Sequence, residues 1–156
     1  VFSDDDIVTA LSDVLPLDES LEAYPGTWQE PPYADRDGRA VLGLGDHSWD
    51  VLLDRGTGRL EGVPEGADAF LLNTTLERFV RCVHAAVTAF EEADRLEAEA
   101  ESEEADDLGE EDEETVDELE EIGERLERRL REIDPDAMVD DNSFWAVLAE
   151  ELGYGL

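Results

Sequence analysis

Short, mostly apolar runs separated by turn residues occupy the middle of this chain, and apolar residues recur every three or four positions on either side of it. Trp49 to Leu53 is a short, mostly apolar run with aromatic and β-branched members. Gly56-Thr57-Gly58 then supplies a turn, where glycine takes a positive φ without steric cost, and Leu60 to Val63 returns. The pattern predicts a β-hairpin. Ala69 to Leu72 predicts a further strand, and Arg39 to Leu44, between the turn signals Asp37-Gly38 and Gly45-Asp46, predicts one ahead of the hairpin. Thr74-Thr75-Leu76-Glu77 fits a capping box, with hydroxyl and carboxylate each satisfying an orphan backbone N–H. From there Leu76, Phe79, Val80, Val83, Ala86, Val87 and Phe90 form one continuous helical face.

Helical spacing also opens and closes the chain. Ser3-Asp4-Asp5-Asp6 precedes Ile7, Val8, Leu11 and Val14, with acids in the first turn where the helix dipole favours them, and Pro16 ends this helix. Val116, Leu119, Ile122, Leu126, Leu130 and Ile133 predict a second long helix. Its narrow apolar stripe suits a single neighbour, the Leu76–Phe90 helix. Asp134-Pro135-Asp136 stops it. Asp140 to Ser143 offers a cap for a last helix carrying Phe144, Trp145, Val147, Leu148 and Leu152, with Gly153 as its stop. Leu17 to Asp37 reads as irregular, and Pro31-Pro32 argues against a central strand there. The expected fold is α+β. A central antiparallel sheet of about four strands is packed by an N-terminal helix, two long amphipathic helices and a short C-terminal helix, in one domain over 1–156.

Charge changes this picture most. Asp and Glu number 45 against 11 basic residues, a formal net charge of -34, and every basic residue is arginine. Such a chain repels phosphate backbones and anionic lipid, which excludes direct nucleic-acid or membrane binding. Seventeen acids fall between Glu97 and Glu124, yet the remainder still carries 28 acids against 11 arginines. The excess is therefore global. Residues 97–114 read as an acidic, mobile insertion of the domain. Two causes of the charge compete: a solvated surface adapted to high salt, which is favoured, and a basic partner steered by the field. No signal-peptide pattern or transmembrane run is read, and the cytoplasm is the expected compartment.

Catalytic and metal-site patterns are not found. Cys82 is alone, which excludes an intramolecular disulfide and a cysteine-based zinc site. It does not face His84, two residues on, across a helix surface. Gly43 and Gly45 lack the phosphate-loop pattern, Asp106-Asp107-Leu108-Gly109 lacks EF-hand spacing, and no serine lies in a nucleophile elbow. No cofactor is expected, and the chain is read as a non-enzyme.

Four pieces together carry a resemblance. They are Leu52-Leu53-Asp54-Arg55-Gly56-Thr57-Gly58-Arg59-Leu60, Leu72-Asn73-Thr74-Thr75-Leu76-Glu77-Arg78-Phe79, Ile133-Asp134-Pro135-Asp136-Ala137, and the segment 143–152 with its Phe144-Trp145. In this order and spacing the chain resembles the SUKH superfamily of immunity proteins (Smi/Knr-like), most closely its fourth group, over roughly residues 39–156. The resemblance implies an α+β fold and a non-enzymatic role: cytoplasmic neutralisation of a toxin domain, nuclease or nucleic-acid deaminase, in polymorphic toxin systems. The partner expected is that toxin, basic in character; the alternative is an acidic, salt-adapted binding module or scaffold. Candidate contact residues are Trp28, Tyr33, Asp35 and Asp37 in the irregular segment, with Asp46 and Asp50 beside the hairpin, since they combine aromatic anchors with acids. The competing and favoured reading of the two aromatics is a lid folded back onto the sheet.

Overall fold

Six strands and five α-helices make up the computed structural model, which describes residues 1–21, 23–45, 47–104, 113–140 and 143–154. In chain order they are α1 (Asp4–Leu11), α2 (Leu17–Ser20), β1 (Thr27–Trp28), β2 (Asp35–Arg36), β3 (Arg39–Leu44), β4 (Trp49–Asp54), β5 (Leu60–Pro64), β6 (Phe70–Asn73), α3 (Leu76–Glu104), α4 (Glu113–Ile133) and α5 (Phe144–Gly153). β3 to β6 pair antiparallel in sequence order, with β1 and β2 both pairing with β3 at the sheet edge. The fold is the α+β architecture that the patterning predicts.

Alternation decides what each strand buries. Ala40 and Leu42 of β3, Val51 and Leu53 of β4, Leu60 and Leu72 share one face and join the helices in the main core. Their neighbours Val41 and Leu52, paired across β3 and β4, point to the other face, where they are also buried. Asp50 and Glu61 share that second face by the same period of two. Asp37 (φ 54) and Gly38 (φ 82) form the two-residue loop between β2 and β3. Two successive positive φ values match the strand twist, and Asp-Gly adopts them at little cost.

The irregular segment departs from expectation in detail. It holds a short helix, α2, and two strands of two residues each, β1 and β2. These strands form because β3 offers them a free edge rather than from any propensity of their own. Tyr24 and Trp28 then fold inward, with rings 4.5 Å apart, and the Tyr24 hydroxyl donates to the Trp49 carbonyl at 2.7 Å. Gly43 and Gly26 make room for the Tyr24 ring: a Cβ at either would lie within 3 Å of it. Burial of that phenol, with Asp50 nearby, holds its proton well above the ordinary tyrosine range.

α4 packs against two neighbours, α3 and α5, where its stripe suggested one. Gly123 permits the second contact, since a Cβ there would stand 2.9 Å from the Ala149 carbonyl oxygen and 2.9 Å from the Gly153 Cα. Gly153 is correspondingly the last residue of α5 rather than a stop beyond it. Gly123→Ala is expected to push α4 and α5 apart and cost about 1–3 kcal/mol in chemical denaturation. A loss below about 0.5 kcal/mol would show that the crossing relaxes freely. Of the expected acidic insertion, 97–104 continue α3 and 113–114 open α4. Residues 105–112 lie outside the described part.

Candidate functional site

β6 ends in Asn73, a polar residue placed where the strand enters the core, and its side chain is completely buried. The Asn73 amide donates to Asp134 Oδ2 at 3.0 Å, and its carbonyl accepts from Trp145 Nε1 at 2.8 Å. The Thr74 N–H also donates to Asp134 Oδ2 (2.8 Å), and the Thr74 hydroxyl to Asp134 Oδ1 (3.0 Å). Arg78, half out in solvent, donates to Thr74 Oγ1 and comes within 3.6 Å of the carboxylate. Asp134 itself is fully buried at the end of α4. One carboxylate thus ties β6, the start of α3, the end of α4 and, through Asn73, α5.

This node corrects the expected cap. Thr74 is drawn to Asp134, so Thr75 caps α3 instead, its hydroxyl accepting from the Arg78 N–H at 3.1 Å. The Thr74–Glu77 box does not form: the Thr74 hydroxyl is oriented by donating to the buried Asp134 carboxylate, and α3 starts at Leu76, which makes Thr75 the cap. Cys82 sits against the node, with the Asn73 amide 3.5 Å from its sulfur. Burial pushes its thiol up to about 12, outweighing that hydrogen bond. A disulfide reagent at pH 8 is expected to label Cys82 no faster than the chain unfolds. Labelling within seconds in the native state would contradict this.

The expected contact residues separate into two groups. Trp28 and Tyr33 are buried, each 8% exposed, and belong to the core, so the lid reading describes them. Trp28 packs 6.1 Å from Phe79, and the Tyr33 N–H donates to Asp4. Asp35, Asp37 and Asp50 stand at the β2–β4 edge, Asp35 and Asp37 exposed and Asp50 half-buried, while Asp46 lies outside the described residues. Asp50 pairs with Arg36 at 3.0 Å and Asp35 with Arg55 at 3.5 Å, and Arg55 also binds Asp4 at 2.8 Å. Glu61 is shared by Arg39 and Arg59. Arginine therefore neutralises Asp35, Asp50 and Glu61 locally, and of the described acids expected as contacts only exposed Asp37 is in no ion pair.

Free carboxylates border a different surface. A groove of about 560 Å³ runs between α2, α3 and α5, with Val87, Phe90 and Leu148 along it and Glu19, Glu91, Asp94 and Glu151 at its rim. A second trough of about 410 Å³ shares Ala23, Leu148 and Glu151 with it and extends to Trp49, Phe70 and Phe144. No arginine lines either one. Among the described residues none of the four rim carboxylates is in an ion pair. The sequence did carry a signal for this: Val87 with Glu91, Phe90 with Asp94 and Val147 with Glu151 are all i, i+4 pairs, so acid flanks apolar on one helix face. The arginines of the helical layer gather elsewhere, Arg81, Arg125 and Arg129 lining a cleft of about 390 Å³ between α3 and α4. Among the described residues no three His, Cys, Asp or Glu side chains are gathered as metal ligands would be. Nor is any described helix long and apolar enough to cross a membrane.

Comparison with known families decides the affiliation. The model of the SUKH-4 immunity protein family matches residues 9–151. The chain belongs to the SUKH-4 immunity protein family. No curated protein and no solved structure gives a match. Three of the four sequence pieces that carried the resemblance meet in the Asn73–Asp134–Trp145 node, which lies wholly inside the matched stretch.

Proposed function

We propose that this SUKH-4 family member is a non-enzymatic immunity protein that binds and neutralises a cognate toxin domain in the cytoplasm. The family match over residues 9–151 carries the reading. Charge supports the class of toxin. A nuclease or nucleic-acid deaminase must hold a phosphate backbone in a basic groove, and a chain of net charge -34 complements such a groove and speeds encounter with it. Blocking that groove needs complementarity of shape and charge but no chemistry from the immunity protein. The test is co-expression with the toxin domain encoded beside its gene. Growth restored by the chain supports the reading, and killing undiminished by abundant, folded chain overturns it.

A salt-adapted acidic binding module is the second reading, favoured by the spread of acid well beyond any one surface. It shares one prediction with the first. Between 0.1 and 2 M KCl the chain is expected to gain about 2 kcal/mol, on the order of 5 °C in Tm, as salt screens self-repulsion. A flat or falling Tm would remove the salt-adaptation reading. Strong salt stabilisation without any toxin rescue would favour it over immunity.

A further inference from the structure

Two properties of the α2–α3–α5 groove point to one kind of occupant. Along it Val87 and Phe90 are only partly covered by the fold, as is Val147 in the adjoining trough. In that trough, which shares Ala23, Leu148 and Glu151 with the groove, Trp49 makes edge-to-face contacts with Phe70 at 5.1 Å and Phe144 at 5.5 Å. An aromatic cluster of this kind offers an electron-rich face to a cation. The rim carries four carboxylates with no arginine among them, whereas Asp50 and Glu61 of the hairpin strands are paired with arginine. Apolar trough and uncompensated acid together ask for apolar side chains flanked by fixed cations.

Resting on the immunity reading, we propose that the groove seats an arginine-bearing amphipathic segment of the toxin domain. Its apolar residues lie along Val87, Phe90 and Leu148, and its guanidinium groups lie among Glu91, Asp94 and Glu151 and over the Trp49 cluster. Arginine suits both ends, since its planar fork binds carboxylates in pairs and stacks on aromatic rings. A second copy of this chain is a poor occupant, because its charge of -34 meets the same sign at the rim. The β2–β4 edge is a poorer match, since Asp35 and Asp50 there are already paired with arginine.

The test is calorimetric titration of the cognate toxin domain into the native chain, into E91Q/D94N/E151Q, into Val147→Arg, and into the charge-matched control E118Q/E121Q/E124Q on the exposed side of α4. All four are first checked for native-like melting. Weakening of about tenfold or more in both groove variants, with the control within about twofold of native, supports the proposal. Native binding that all variants retain overturns the groove and leaves the immunity reading standing. If the native chain binds no toxin domain, the immunity reading fails, and the groove is judged by a synthetic amphipathic peptide with arginine on one face and leucine on the other. Binding of that peptide, lost in the groove variants and kept in the control, supports the groove alone. No binding, or a dimer of the chain through this face, overturns it.

Discussion

Asp134→Ala is expected to cost the fold about 3–5 kcal/mol. The carboxylate is fully buried and accepts from the Asn73 amide, the Thr74 N–H and the Thr74 hydroxyl at 2.8–3.0 Å. Alanine leaves those three donors facing a dry pocket. The Asn73 amide, at zero exposure, keeps its desolvation penalty, while the half-buried Thr74 donors recover only part of their solvation. Half-exposed Arg78 would keep its solvation, so little of the loss comes from it. Asparagine at 134 preserves the shape but replaces one acceptor with a donor aimed at other donors, and should fall between alanine and native. Urea unfolding of the three chains measures this. A domain of ordinary stability, roughly 5–15 kcal/mol, would be left marginal by the alanine variant. A loss under about 1 kcal/mol would show that the node is not what locks β6 to α4.

Trp145→Ala should be nearly as damaging, at about 3–5 kcal/mol, for a mixed reason. The indole is 1% exposed and packs 5.1 Å from Phe144 and 6.2 Å from Phe79, so its removal opens a large cavity between α5 and the sheet. It also strips Asn73 Oδ1 of its donor. Phenylalanine separates the two causes: it retains most ring packing and loses the N–H, and is expected to cost about 1–3 kcal/mol. Because both residues hold Asn73, the losses in D134A/W145A should sum to less than their separate values by about 1 kcal/mol or more. Strict additivity would mean that Asn73 does not transmit between them.

The sequence made the sheet legible because its signals are local. β3 begins and ends where the Asp37-Gly38 and Gly45 turns place it, and β4, β5 and β6 fall within a residue of the periodic runs. The helices followed from three- and four-residue spacing for the same reason. What escaped depends on partners far along the chain. β1 and β2 are two residues each and exist only by pairing with β3. Thr74 looked like a cap because its competitor, Asp134, is 60 residues away.

The site was less legible than the fold. Trp28 and Tyr33 were open to two readings, and the favoured one, a lid folded back onto the sheet, describes them; what the sequence did not show is that Gly26 and Gly43 open the space for the Tyr24 ring beside Trp28. Asp35 and Asp50 were visible as acids, but their arginine partners, Arg55 and Arg36, are set by strand register rather than by spacing in sequence. The groove brings α2, α3 and α5 together, and only the acid-beside-apolar pairs on single helices hinted at it. The polar node was visible as three of the four motif pieces, though nothing in their spacing said that they touch.

The most direct test of the central claim uses purified components. The cognate toxin domain, assayed on its nucleic-acid substrate, is titrated with this chain at physiological salt. Activity is expected to fall to zero at a stoichiometric ratio and to return when high salt dissociates the complex. Full toxin activity in the presence of saturating, folded chain would contradict it.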